Sequence, residues 1–249
     1  MNISPTSDGP IIFSDFDGTI TEIDVTDSIL TQFADPAWIK VEQQWVRGEI
    51  GSRECLARQM DLVHASVGDL NALIGSVLLD PHFAGFHSWL SKRAIPFYVL
   101  SDGFDYVIRR ILRRCGVTGP LSNGSHLFAS SLRIESGRLS TAFPHPAVVC
   151  EHGCATCKAA VMRRLKGAYA PSIFIGDGLS DRFAAAEADL VFAKKRLLEY
   201  CRNQRIECVP FETFADIAAA VSKLIGPRQA STRRKREEPF RAEPNIITA

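Results

Sequence analysis

The sequence predicts an α/β fold, a parallel sheet flanked by helices, with a helical insert after the first strand. Three observations carry this. Apolar runs of strand length recur at residues 11–13, 95–100 and 172–175, each leading into Ser, Asp or Gly. Strand runs alternate with helical spacing along the rest of the chain, which argues for parallel pairing through crossovers. Between the first and second runs lie roughly 70 residues of helical spacing without strand-like alternation, longer than an ordinary connection.

The first run, Ile11-Ile12-Phe13, leads into Asp15-Phe16-Asp17-Gly18-Thr19. Side chains two apart on a strand point the same way, so Asp15 and Asp17 leave the strand end side by side. Two adjacent carboxylates are tolerable there only with a cation or shared chemistry. Asp and Gly are also ordinary turn formers, so Asp-x-Asp alone fits a simple turn.

The insert is expected over residues 21–94. Asp27 or Ser28 is placed to cap a helix carrying Ile29, Leu30 and Phe33. Pro36 suits the first turn of a second helix, with Trp38, Ile39, Val41, Trp45 and Val46 on its apolar side. A third follows Ser52, with Leu56, Met60 and Val63. A fourth follows Ser66, with Leu70, Leu73, Ile74, Val77 and Leu78.

The second apolar run ends in Ser101-Asp102-Gly103, before a helix carrying Tyr106, Val107, Ile111 and Leu112. Backbone amides, a hydroxyl and the helix dipole would meet there, which suits an anion. A plain serine cap is the simpler alternative. Two strand-like pieces, 127–134 and 138–143, flank Ser136-Gly137 and predict a hairpin. The stretch from Cys150 through Cys154 and Cys157 to Lys158 then precedes a helix over 159–165. The third run, 172–175, closes in Gly176-Asp177-Gly178-Leu179-Ser180-Asp181 and a helix over 182–187. Residues 190–193 and 206–209 are further strand candidates, with helices over 194–203 and 212–224. From Gly226 the pattern stops. Arg233-Arg234-Lys235-Arg236 stands among Pro, Ser and Glu and reads as a disordered, solvated tail over 226–249, contact with nucleic acid or a partner being the alternative. The expected organisation is a core of residues 1–20 and 95–225, a helical cap of 21–94, and the tail.

Composition narrows the function classes. Of 249 residues, 46% are hydrophobic and 23% charged, which suits a packed soluble core. The net charge of +1 gives no overall field for nucleic acid or an anionic membrane. No apolar stretch reaches membrane-spanning length, and the first ten residues lack a signal-peptide pattern. Seven cysteines, an odd number, suit reduced thiols and a cytoplasmic setting better than a disulfide framework. Cys150, Cys154 and Cys157, with His145 and His152 near, are a zinc set, reduced structural thiols or a redox-sensitive pair.

In a parallel α/β sheet, ligands bind outside the carboxyl ends of the strands. Asp15 and Asp17, Ser101, and Asp177 with Asp181 all fall at such ends. Asp15, Asp17, Asp177 and Asp181 repel one another unless a cation binds, and hard oxygen donors without neighbouring His favour Mg²⁺ over zinc. Lys158 adds a positive group.

In this order the four strings resemble the motifs of the haloacid dehalogenase (HAD) superfamily of phosphatases. Asp15-Phe16-Asp17-Gly18-Thr19 matches the first, Ser101 with Asp102 and Gly103 the second, Lys158 the third, and Gly176-Asp177 with Asp181 the fourth. The insert lies where that superfamily places its C1 cap. The resemblance spans about residues 11–224 and implies a Rossmann-like core. It implies Asp15 as nucleophile, Asp17 as general acid and base, and Ser101 and Lys158 as phosphoryl ligands, with Thr19, Asp102 and Gly103 in the binding strings. It places Mg²⁺ on Asp15, the Asp17 backbone carbonyl and Asp177, with Asp181 in support. Phe143-Pro144-His145-Pro146, the cysteine cluster and the segments 173–181 and 191–201 are similar to the branch of methionine-salvage, phosphoserine and phosphoethanolamine/phosphocholine phosphatases. Arg53 and Arg58 lie where relatives carry basic cap residues, as anchors for a substrate anion or as ordinary surface charges. A phosphomutase and a non-catalytic phosphate-binding protein are the rival readings. The expected partner is a small phosphorylated metabolite.

Overall fold

The computed structural model describes residues 9–135, 138–147, 150–167 and 171–225. The basic run at 233–236 lies outside them. In chain order the elements are β1 (Ile11–Ser14), then helices α1 (Val25–Phe33), α2 (Trp38–Val46), α3 (Ser52–Met60), α4 (Val67–Ser76) and α5 (Phe83–Ser91). Next come β2 (Phe97–Phe104), α6 (Asp105–Arg114), the short α7 (Pro120–Asn123), β3 (Leu127–Glu135) and β4 (Arg138–Ala142). The chain continues through α8 (Lys158–Lys166), β5 (Ser172–Gly176), a single 3₁₀ turn (Leu179–Asp181), α9 (Arg182–Glu187) and β6 (Leu190–Ala193). It closes with α10 (Lys195–Gln204), β7 (Val209–Pro210) and α11 (Phe214–Ile225).

The strands form a sheet in the order β4-β3-β2-β1-β5-β6-β7, parallel except for the β3–β4 hairpin. Strand alternation divides the core between the two faces. Ile12, Phe97, Val99, Ile173, Ile175 and Phe192 pack into one cluster, and Ile11, Phe13, Leu100, Phe174 and Val191 into the other. Burial on both faces explains why these strands read as continuous apolar runs. β1, flanked by β2 and β5, delivers Asp15 to the middle of the sheet's carboxyl edge.

Several boundaries differ from the sequence reading. β2 does not stop at Leu100. Its register to β3 shifts between Leu100 and Phe104, and the strand carries Ser101, Asp102 and Gly103 within it. The Ser130 hydroxyl donates to the Asp102 carbonyl at 2.8 Å and holds this irregular stretch. Ser101 therefore caps no helix. The cap of α1 is Asp24, whose carboxylate accepts from Asp27 N–H at 2.8 Å, not Asp27 or Ser28. On α2 only Val41 is buried, while Ile39 and Val46 face outward. Ser66 caps α4 as expected, in a reciprocal pairing with Asp69 of the kind that contributes about 1 kcal/mol. β7 falls at Val209–Pro210 on the sheet edge, where a proline without an N–H is tolerated.

The residues expected as the insert, 21–94, span α1–α5. Thr21 and Leu79 pair as an isolated antiparallel bridge, and Asp80 N–H donates to the Ile20 carbonyl at 2.9 Å. The Asp80 carboxylate then accepts from the N–H of Phe214 at 3.1 Å, tying the return point to α11. Beyond it, α5 packs on the core. Phe83 lies 5.9 Å from Phe97 of β2 and 5.1 Å from Phe214 of α11, between ring centroids. Among the described residues no helix is long and apolar enough to cross a membrane.

Candidate active site

The carboxyl edge of the sheet brings β1, β2, β5 and β6 to one cavity of about 310 Å³. Its floor holds Asp15, Asp17, Ser101 and Asp177, and its opposite wall comes from α1, α2 and α3. Lys158, the first residue of α8, is 3% exposed, and its ammonium donates to Asp15 Oδ1 at 2.9 Å and to Asp181 Oδ1 at 2.6 Å. Burial acts against that charge, but the Asp15 and Asp181 carboxylates more than offset it and hold Lys158 above the usual lysine range. Asp181 Oδ2 in turn accepts from the N–H groups of Asp177 and Gly178, both at 3.1 Å. Asp181 thus fixes both the lysine and the turn that presents Asp177.

Asp15, Asp177 and Asp181 each place a carboxylate oxygen within 4.8 Å of the others. All three are buried. Burial, then repulsion from Asp181, pushes the Asp15 carboxyl well above the usual range, with Lys158 opposing. Asp181 is likewise raised, by burial first. Hard oxygen donors gathered at one point, with protonation as the alternative to a partner, fit Mg²⁺ and do not fit a soft metal. Asp177 is held by the Thr19 hydroxyl at 2.9 Å, so Thr19 positions this carboxylate from behind.

Asp17 points away from that trio. Its Oδ1 accepts from Val25 N–H and its Oδ2 from the Thr26 hydroxyl, both at 3.2 Å and both at the start of α1. Burial raises its carboxyl to about 6, partly offset by those two donors. The sequence reading put all four carboxylates in one cluster. The geometry separates them into a trio, of which Asp15 and Asp181 hold Lys158, and one carboxyl bonded instead to the start of α1. Ser101 Oγ accepts from Gly103 N–H at 2.9 Å, and Asp102 Oδ1 accepts from Thr156 N–H at 2.9 Å.

The model for haloacid dehalogenase-like hydrolases matches residues 12–186. The chain belongs to this family. Across the HAD-like core, curated relatives extend the likeness over nearly their whole length. A 2-hydroxy-3-keto-5-methylthiopentenyl-1-phosphate phosphatase of Geobacillus kaustophilus (strain HTA426) is 30% identical over 86% of this chain and 96% of its own. The protein of that name from Bacillus mycoides (strain KBAB4) is 29% identical over 86% of this chain and 96% of its own. A substrate-bound phosphoserine phosphatase structure shares the fold with a TM-score of 0.65 at 17% identity, over 86% of this chain and 99% of that one.

The sequence leaves Arg53 and Arg58 open between anchors for a substrate anion and ordinary surface charges. The Arg53 guanidinium donates to the Cys154 carbonyl at 3.3 and 3.1 Å, and Arg58 pairs with Glu54 at 3.3 Å on the exposed face of α3. Neither lines the cavity. The insert wall carries Glu42, Trp45, Cys55, Leu56 and Gln59 instead. Two further cations come from the start of α10. Lys195 donates to Asp177 Oδ2 at 2.9 Å and to the Gly18 carbonyl at 3.0 Å, and Arg196 lines the cavity. Lys195 has a φ of 47°, a conformation that costs a non-glycine residue about 1 kcal/mol or more. Lys195 and Arg196 were legible by the strand-end rule that found the aspartates, since they follow β6 directly.

Proposed function

We propose that this HAD-family hydrolase removes phosphate from a small phosphorylated metabolite, with Asp15 as nucleophile and Asp17 as general acid and base. The observation that carries this reading is the buried Lys158 ammonium bridging Asp15 and Asp181, with Asp15 and the raised Asp17 carboxyl both on the floor of the cavity.

A phosphate dianion approaching the Asp15 carboxylate meets strong repulsion, and Lys158 offsets part of it at the point of attack. Asp15 and Asp177 would hold Mg²⁺, with Asp181 in support. The ion would supply Lewis-acid stabilisation of the charge on the phosphoryl oxygens. Asp15 attacks phosphorus in line, and an aspartyl-phosphate forms as the ester oxygen leaves. Asp17, whose carboxyl is raised to about 6, donates its proton to that oxygen. The Asp17 carboxylate then takes a proton from the water that hydrolyses the aspartyl-phosphate. Ser101 presents its hydroxyl to an equatorial phosphoryl oxygen.

We further propose that α1–α4 act as a cap that excludes water during transfer and chooses the leaving group. The Thr21–Leu79 pairing is the hinge in this reading. The natural substrate is taken to be 2-hydroxy-3-keto-5-methylthiopentenyl-1-phosphate, on the likeness to phosphatases of that name across nearly their whole length. Trp45, Leu56 and the Cys55 thiol suit its methylthio tail. One observation favours a second reading. Asp24, Asp27 and Glu42 face the cavity with Arg196 as the cation beside them, a set that fits an amine-bearing leaving group such as phosphoserine or phosphoethanolamine. Phosphate release from a panel of these esters, with Mg²⁺ and with EDTA, tests both. Activity confined to the methylthio ester supports the first and activity confined to amine-bearing esters the second. Phosphate release that Asp15→Asn leaves intact overturns the mechanism.

A further inference from the structure

A second cluster of chemically competent side chains lies outside the carboxylate site. The thiols of Cys150, Cys154 and Cys157 come within 4.8 Å of one another, although they stand on a loop and a helix start. Cys154 N–H donates to Cys150 Sγ at 3.5 Å. Backbone N–H groups of this kind stabilise a metal-bound thiolate and fix its orientation. Cys157 occupies the N-terminal cap position of α8 without a side-chain capping hydrogen bond.

We propose that Cys150, Cys154 and Cys157 form a structural site for a soft divalent cation, Zn²⁺ by its ligand set. Thiolate sulfurs select zinc over Mg²⁺, so this site and the carboxylate trio do not compete for one ion. Three thiolates leave one tetrahedral position to fill, and the three cysteines line a cavity of about 350 Å³ together with Glu151, His152 and Arg163. Binding replaces thiol protons, which are released to the buffer.

The loop so clamped has three attachments to the active site. Its last cysteine precedes Lys158. Thr156 N–H holds the Asp102 carboxylate at 2.9 Å. On its outer side it docks the insert: Ala155 N–H donates to Ser52 Oγ at 2.9 Å, and Arg53 reaches the Cys154 carbonyl. A side chain on Gly51 would meet the Gly153 carbonyl oxygen at 2.5 Å, so the two backbones are in direct apposition. An ion on the three sulfurs therefore staples the segment on which both Lys158 and α3 depend.

The test uses the full reduced chain, freed of metal by chelation and titrated anaerobically with Co²⁺ and then Zn²⁺. The expected result is one equivalent of Co²⁺ giving sulfur-to-cobalt charge-transfer absorption in the near ultraviolet, displaced by one equivalent of Zn²⁺. Asp177→Ala should retain that absorption, and so should Cys201→Ser, which removes a thiol elsewhere. Cys154→Ser should lose it. Amide exchange on the wild-type chain should slow across residues 150–167 when Zn²⁺ binds, a readout independent of activity and of whether Cys154→Ser folds. Absence of the absorption from the reduced wild-type protein overturns the proposal. So does absorption that survives in folded Cys154→Ser, or binding of Zn²⁺ without change in exchange at 150–167.

Discussion

A methyl group on Gly103 would stand 2.4 Å from Asp17 Oδ2, so the absence of a side chain at this point of β2 makes the room in which the Asp17 carboxyl sits. The same methyl would come within 3.1 Å of Ser101 Oγ. The collision is with the free end of a side chain rather than with backbone, so it is relieved by turning Asp17 aside. Gly103→Ala should therefore fold with a Tm close to wild type, yet lose turnover by about a hundredfold or more, the scale of losing positioned acid–base catalysis. Circular dichroism beside phosphate release checks this, and wild-type turnover in the variant contradicts it.

Asp17 must carry a proton to assist a poor leaving group, and its carboxyl is raised by burial to about 6. For an alkyl phosphate, kcat/KM should decline as pH rises through about 6, because the proton donor is being lost. An aryl phosphate leaves without much help and should show a shallower decline. Asp17→Asn should cost alkyl esters about 10²–10⁴-fold. With the aryl ester it should give a burst of phenol matching the enzyme concentration, since the aspartyl-phosphate forms but is not hydrolysed. Equal losses for both esters and no burst would remove Asp17 from the mechanism.

The carboxylate trio also predicts how the ion and pH act on stability. Asp15 and Asp181 are raised above the ordinary carboxyl value of 3.8, chiefly by burial, so the folded state holds protons that the unfolded state has released. Where the folded state binds more protons, stability falls as pH rises, and it is lost through the folded pKa values. Mg²⁺ replaces those protons. The rise in Tm on adding Mg²⁺ should be larger at about pH 8 than at about pH 5, where protons compete for the same oxygens. An ion at a hundred times its Kd stabilises by about 2.7 kcal/mol. Asp177→Ala should remove most of this gain. Scanning fluorimetry at the two pH values decides it, and an equal gain at both contradicts the assignment of Mg²⁺ to this trio.

The parts of the site visible in the sequence are those fixed by local register. Asp15 and Asp177 follow strands buried on both faces, and such strands announce themselves as apolar runs. Lys158 has no local signature. It is set by tertiary reach across to β1 and to the turn after β5, and only the order of motifs pointed to it. The end of β2 was hidden because Ser-Asp-Gly has turn composition, while the Ser130 hydroxyl and a shifted register keep it extended. Helix phase said that Arg53 and Arg58 share α3 but not what each faces. Lys195 lay within reach of the same strand-end rule as the aspartates, two residues after β6, but its helix-forming neighbours drew it into the helix reading.

The insert supplies the last prediction. Glu42 Oε2 accepts from the Gln59 side-chain amide at 3.0 Å and, more weakly, from the Cys55 thiol at 3.7 Å, which fixes a polar group in the wall facing the phosphoryl site. Arg58 makes only an exposed i,i+4 ion pair with Glu54, worth about 0.3–0.5 kcal/mol. Arg58→Ala should therefore leave both the rates and the ranking of substrates within about twofold of wild type. Arg53 is different, because it spends its charge on the Cys154 carbonyl and joins α3 to the loop before Lys158. A hydrogen bond from a charged group contributes about 1.5–3 kcal/mol, and its loss weakens docking of the insert whatever ester is bound. Arg53→Ala should lower kcat/KM for all substrates by one common factor of about tenfold or more. Glu42→Gln keeps the shape and removes the charge. It should change the ranking, lowering amine-bearing esters relative to neutral ones. A panel of kcat/KM values for the three variants separates these outcomes. A ranking altered by Arg58→Ala and untouched by Glu42→Gln would mean that the insert reads its substrate through α3's outer face, after a closure larger than this docked arrangement contains.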